Sequence, residues 1–217
     1  MEEAQLLPRI AKLVAAEFQV PLCLDSGNPQ ALAAALAAVP GKPLVNSVNG
    51  EEARLEAILP IVRDRQAAVI GLTMDGAGIS NDAETRLAIA ERIVNRAVRL
   101  GIPQADVLID TLVLTVGADQ KAALVSLRTI ELVRERLGVN INIGASNVSF
   151  GLPDRQIVNQ AFLAMAIRAG ARCLITDPIR LGATVLACDL LLGRDPYGKR
   201  YLTACRKRRE LEGAAGG

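Results

Sequence analysis

Two rhythms of apolar and polar positions alternate along this chain of 217 residues. Short apolar runs recur: PLCL before Asp25, KPLV before Asn46, AAVIGL before Thr73, DVLI before Asp110, NINIG before Ala145 and RCLI before Thr176. Each has the length and continuity of a parallel strand buried on both faces. Between them lie longer segments with helical periodicity, clearest where Leu87, Ala90, Val94 and Ala97 share a face, and again at Ala123, Leu127, Ile130 and Leu137. Strands alternating with helices specify an α/β fold with right-handed crossovers.

The units are punctuated. Asn28 before Pro29, Asn49 before Glu51 and Glu52, and Asp119 are placed as N-caps or first-turn residues, and Gly101, Gly138, Gly170 and Gly193 follow periodic runs as helix stops. Pro60 is expected to kink or shorten the helix after Asn49. A doubly wound sheet and a barrel both satisfy this pattern, but no G-x-G-x-x-G follows the first strand, which favours a TIM-type (β/α)8 barrel. A complete barrel has eight strands in about 250 residues. Here the pattern predicts roughly six strand-helix units, preceded by a helix-like segment around Leu6 to Phe18. The expectation is a single barrel domain over residues 1–217, short at its N-terminal side, with opening units missing.

In barrel enzymes the site forms where the strands end at their C-terminal side, so the polar residues closing the apolar runs carry the chemistry. These are Asp25, Asn46, Asp75 just beyond Thr73, Asp110, Asn147 and Asp177. Any one of them alone is more simply a turn or capping residue. For Asp25 and Asn46 that reading weakens, because Asn28 and Asn49 are better placed as caps; Asp177 before Pro178 keeps it, and Asp75 in the stretch DGAG is balanced between turn and site. A ring of carboxylates and amides without a cation fits a ligand edge rich in N–H donors and is a poor match for phosphate.

Composition narrows the chemistry further. The chain has no histidine, which excludes His-based triads and H-E-x-x-H metal sites, and Cys23, Cys173, Cys188 and Cys205 form no C-x-x-C pair. No protein-bound metal is expected. A formal net charge of +2 and an aromatic content of 2% provide neither the field nor the stacking platforms that nucleic acid requires. No segment reads as a signal peptide or a membrane span, so a cytoplasmic setting without membrane partners is expected.

The segments LCLDS (22–26), VNSVN (45–49), IGLTM (70–74), LIDTLVL (108–114), GASNVSFGLP (144–153) and FLAMA (162–166) together resemble the methyltetrahydrofolate:corrinoid methyltransferases, a pterin-binding barrel family similar to the folate-binding domain of cobalamin-dependent methionine synthase. The resemblance runs in unbroken order from about Pro21 to Pro178. It implies a barrel that binds methyltetrahydrofolate at its mouth, with Asp25, Asn46 and Asp110 on the pterin and Asn147 near N5; Asp75 and Ser146 are further candidate substrate contacts, Ser146 equally placed to brace the loop. In the catalytic roles it places Asn147 on N5 with Asp25 acting through water, and it makes the methyl acceptor or donor the cobalt of a corrinoid (cobalamin) held by a partner protein. Full-length relatives imply a homodimer. Glu56, Arg155 and Arg180 are charged residues that the folate tail could use, with no feature of the sequence to distinguish them from surface charges. The absent opening units leave a second reading, a truncated or non-catalytic folate-binding module. Dihydropteroate synthase, in the same superfamily, is disfavoured, since Ser146-Asn147-Val148 stands where that family has Ser-Arg-Lys and its late Arg-x-His needs a histidine.

Overall fold

The structure, a computed structural model, describes residues 2–215. Six parallel strands lie side by side in chain order: β1 Cys23–Asp25, β2 Leu44–Asn49, β3 Ala68–Leu72, β4 Val107–Asp110, β5 Asn140–Gly144 and β6 Cys173–Ile175. Between and around them run α1 Glu3–Glu17, α2 Pro29–Ala38, α3 Glu52–Asp64, α4 Ala83–Arg99, α5 Ala122–Arg136, α6 Arg155–Ala169, α7 Pro178–Leu191 and α8 Lys199–Ala215. Sequential order with parallel pairing throughout is barrel topology, here an open six-strand part of a TIM-type barrel. The sheet is curled, because the ends of β1 and β6, its two edges, line one groove. Every apolar run predicted as a strand is one.

The central strands owe their position to their residues. Val69, Val107, Ile109, Ile141 and Ile143 are almost fully buried, under helices that present Leu55, Ile58, Leu59, Ile93, Ile130 and Val133. Gly71 allows the closest approach: a Cβ there would meet Ile93 Cγ2 at 2.7 Å, so α4 lies directly on the backbone of β3. A smaller apolar cluster of Ala145, Leu163, Ile167, Leu181 and Cys188 forms beneath the β6 edge. No helix among the described residues is long and apolar enough to cross a membrane.

Three local expectations are revised. Asn28 caps α2 as predicted, its Oδ1 accepting from the N–H groups of Gln30 and Ala31. Asn49, however, ends β2, and the cap position of α3 is Glu51; the Asn49 side chain instead closes a turn, accepting from Glu51 N and donating to Glu51 Oε1. Asp119 likewise makes a turn with Lys121 N before α5 begins at Ala122. Short polar side chains satisfy N–H groups two residues on equally well in either setting. Pro60 lies inside α3, which continues to Asp64. The carbonyl it leaves without an intrahelical donor belongs to exposed Glu56, and burial of Ile58, Leu59 and Val62 holds the helix on the sheet. The glycine stops hold: Gly101, Gly138, Gly170 and Gly193 have φ of 89°, 62°, 140° and 70°.

Candidate functional site

The strand ends bring Asp25, Asn46, Ser47, Leu72, Asp110, Leu112, Gly144, Ser146, Asn147, Ile175, Thr176 and Asp177 around one open groove of about 550 Å³. No Lys or Arg among the described residues lines it.

Asp110, the last residue of β4, is its most constrained group. The residue is 6% exposed. Leu112 N–H donates to Oδ1 at 2.8 Å, and the amide of fully buried Asn142 on β5 donates to Oδ2 through a short hydrogen bond. Burial pushes the Asp110 carboxyl up to about 6, against the opposing pull of those two donors. It is therefore an anion at neutral pH that gains a proton in mildly acidic solution. Buried polar atoms next to it lack partners: Thr111 Oγ1, Asn142 Oδ1 and, on the groove, Thr176 Oγ1. Of these only Thr176 lines the groove, and a hydroxyl acceptor there together with the Asp110 carboxylate suits a ligand edge bearing N–H donors.

A fully buried arginine holds the loop that carries Leu112. Arg86, on α4, donates from Nε to Ser80 O at 2.7 Å and from Nη1 to Thr111 O at 2.9 Å and Leu112 O at 2.7 Å. Burial lowers its pKa. Leu112 adopts a φ of 51°, an unusual conformation for a branched residue, and the arginine grips its carbonyl while its N–H serves Asp110. The same loop is tied to the next one, since Val116 N donates to Val148 O at 2.9 Å and Thr115 Oγ1 to Phe150 O at 2.6 Å.

Asn147 lies on that second loop, in a 3-10 turn over Ala145–Ser149 directly after β5. Its side chain folds back over Gly144, where a Cβ would stand 3.1 Å from Asn147 Nδ2. Across the groove Asn46 Nδ2 donates to Asp25 Oδ2 at 2.9 Å, joining the ends of β1 and β2. The β2 register shifts between Asn46 and Val48, and such an irregularity re-aims side chains at a strand end. Cys23, on the exposed rim of β1, has its thiol pushed up to about 11, first by burial of the sulfur and then by Asp25 and by Cys173 of β6.

Of the six residues chosen from the sequence, Asp25, Asn46, Asp110, Ser146 and Asn147 line the groove and Asp75 does not. Asp75 closes its own turn: its backbone pairs with Gly78, its Oδ1 accepts from Ala77 N, and Oδ2 lies 3.5 Å from Arg92 Nη1. Ser146 turns its carbonyl to Arg155 Nη2 at 2.8 Å. Asp177 lines the groove and also caps α7, accepting from the N–H groups of Ile179 and Arg180. Sequence reasoning missed Asn142 and Arg86. The available signal for Asn142 was an amide between two isoleucines of a buried strand; for Arg86 it was a cation beside the apolar face of α4.

Strands, loops and groove define a barrel enzyme with an acidic, amide-lined mouth. Residues 1–177 match the pterin binding enzyme family. The methylcorrinoid:tetrahydrofolate methyltransferase of Eubacterium limosum is 31% identical over 211 residues, 94% of this chain and 78% of that protein. A methionine synthase from Mycobacterium tuberculosis is 34% identical over 174 residues, 74% of this chain and 15% of that protein. Among solved structures, the dihydropteroate synthase from Thermus thermophilus superposes with a TM-score of 0.70 at 22% identity, over 89% of this chain and 77% of that one. The Yersinia pestis dihydropteroate synthase gives 0.69 at 17%, over 86% and 78%. At that identity the synthases share the fold alone. The chain belongs to the pterin-binding enzymes, in their methyltransferase branch.

Proposed function

We propose that this methyltransferase moves the N5-methyl group between tetrahydrofolate and the cobalt of a corrinoid carried by a partner protein. The observation that carries the reading is Asp110: a buried carboxylate at the groove, anchored by Leu112 N–H and Asn142. A pterin presents its 2-amino group next to N3–H, and a carboxylate accepts from both at once. Asn46, held by Asp25, offers the mixed donor and acceptor character that the rest of the ring edge requires.

Methyl transfer from N5 breaks a carbon–nitrogen bond and returns the electron pair to N5, a poor leaving group unless a donor or a proton meets that charge. The corrinoid supplies the nucleophilic or methyl-bearing cobalt when docked. The chain's own residues orient the pterin and stabilise N5, tasks of positioning and electrostatics. Asn147 is assigned to N5 and Asp25 to proton delivery through water, and Ser146 braces the Asn147 loop. Asp75, in its own turn, is assigned at most a role in shaping the rim.

Calorimetry with methyltetrahydrofolate, followed by methyl transfer to reduced cobalamin, tests this. Saturable binding is expected, with transfer falling about 100-fold in Asn147→Ala, the scale of losing one electrostatic donor to the reacting centre. A folded protein that binds no methyltetrahydrofolate would sink the proposal. Binding without transfer would support instead the non-catalytic folate-binding module.

A further inference from the structure

The opposite face of the sheet is hollow as well. Strands β2, β3 and β4 are neighbours and parallel, so the three turns that lead into them, 39–43 after α2, 65–67 after α3 and 100–106 after α4, lie side by side at the N-terminal ends of the strands. Between these turns is a cavity of about 510 Å³. Its floor is apolar, formed by the buried residues Val62, Ala67 and Ile102, and its rim is basic, formed by Lys42, Arg63 and Arg65 with Gln66 and a single carboxylate, Asp106. In barrel enzymes this face ordinarily serves stability, which asks for apolar filling and not for a hollow with a cationic rim.

The charges of the rim are only partly met. Lys42 Nζ lies 2.6 Å from Asp106 Oδ2, and Arg63 lays Nε and Nη2 on Oδ1 of neighbouring Asp64 at 2.8 and 2.7 Å. Arg65 spends Nη2 on the neutral carbonyl of Leu36 and has no carboxylate partner among the described residues. Three cations thus face two carboxylates, and the surplus sits at Arg65. Donors are left over too. Nε and Nη1 of Arg65, Nη1 of Arg63, the Gln66 amide and the main-chain N–H groups of Gly41 and Lys42 make no hydrogen bond among the described residues. The Lys42 ammonium keeps two N–H bonds beyond the one that faces Asp106.

We infer that this cavity is a binding site for an organic phosphate, its phosphate held on the rim by Arg65, Lys42 and the Gly41 and Lys42 N–H groups and its apolar body resting on Val62, Ala67 and Ile102. A phosphate monoester carries about two negative charges and three acceptor oxygens pointing in different directions, so it can use donors that arrive from separate turns. A carboxylate is planar and singly charged, and is best served by one guanidinium fork. The volume is that of a small-molecule site, and the Lys42–Asp106 pair, half exposed to water, is weak enough to share its lysine with an arriving dianion. This site stands whether or not the groove holds a pterin.

Calorimetry on the full chain tests it, with AMP as the probe and adenosine, inorganic phosphate and malate as comparisons. AMP is expected to bind saturably with a Kd below about 1 mM, at least roughly tenfold more tightly than adenosine or malate, the scale of a hydrogen bond to a charged group; inorganic phosphate, which cannot use the floor, falls between. Raising the salt weakens AMP binding. Arg65→Gln and Lys42→Gln each lower AMP affinity about tenfold and leave methyltetrahydrofolate binding at the far face within about twofold. Lys42→Gln changes a side chain that is 54% exposed, so it reads the site even where the loss of the Arg65 contact to Leu36 costs folded protein. AMP binding no better than adenosine overturns the site, malate matching AMP overturns its assignment to phosphate, and a folded Lys42→Gln variant with wild-type affinity for AMP overturns the placement on this rim.

Discussion

The middle of the sheet and its two edges are built from similar apolar runs and end in different states. In β3, β4 and β5, Val69, Ile70, Ile109 and Ile143 have no exposed surface. In β1 and β6, each of three residues, only Leu24 is buried, and Ile175 is 46% exposed. A strand with neighbours on both sides, helices on its outer face and the barrel interior on its inner face becomes core; the same composition with one neighbour becomes rim. Short strands limit the unpaired ladder that such a rim displays. The polar machinery follows the same division: Asp110 and Asn142 sit on the rigid middle, whereas Asp25 and Asp177 stand on the edges.

The comparison can be broken most directly by truncating one residue of each kind. Ile109→Ala should lower the unfolding free energy by about 2–5 kcal/mol, and Leu174→Ala on β6 by less than half as much, both read from urea denaturation. Equal losses would mean that the edges are as deeply packed as the centre. The next effect concerns function without stability. Asp110→Asn should weaken methyltetrahydrofolate binding by about 1.5–3 kcal/mol, the worth of a hydrogen bond to a charged group, while the variant unfolds no more easily than wild type at pH 7, because a buried charge has been removed.

Proton linkage sharpens the same point. The Asp110 carboxyl takes up its proton near 6 in the folded chain and near the ordinary 3.8 when unfolded. Between those values the folded state binds more protons, so this residue's contribution to stability falls as pH rises through the window. Methyltetrahydrofolate affinity should move oppositely, weakening toward tenfold per pH unit below about 6. Titrating both quantities in wild type and Asp110→Asn checks this; a variant with the wild-type profile would assign the proton to another group. The smallest effect belongs to the rim: Ile179→Ser, at a residue 92% exposed, should change stability by under about 0.5 kcal/mol. A larger loss would show that something covers this face.

Continuous apolar runs made the six strands and their barrel order legible, because burial on both faces demands them and little else does. Strand ends were legible for the same reason, as the first polar residue after each run. What escaped was everything decided across the chain. Asn49 and Asp119 carry cap chemistry but close turns, and nothing local separates the two uses. Pro60 stays in a helix because tertiary packing outweighs its local effect. Asn142 and Arg86 matter through partners 32 and 25 residues away, a pairing that no local pattern records. Asp75 obeyed the strand-end rule and is turned aside by its own tight turn.

The buried Arg86 has a consequence for how this sequence can drift. All three of its acceptors are main-chain carbonyls, at Ser80, Thr111 and Leu112, and every amino acid supplies one. Tolerance is therefore one-sided: the partly exposed side chain at 80 can be exchanged without disturbing the contact, whereas lysine at 86 offers a point charge in place of a fork with two arms. A saturation library scored for folded protein should show an intolerant position 86 facing a permissive position 80, the signature of an anchor that reads the path of the chain and not its spelling.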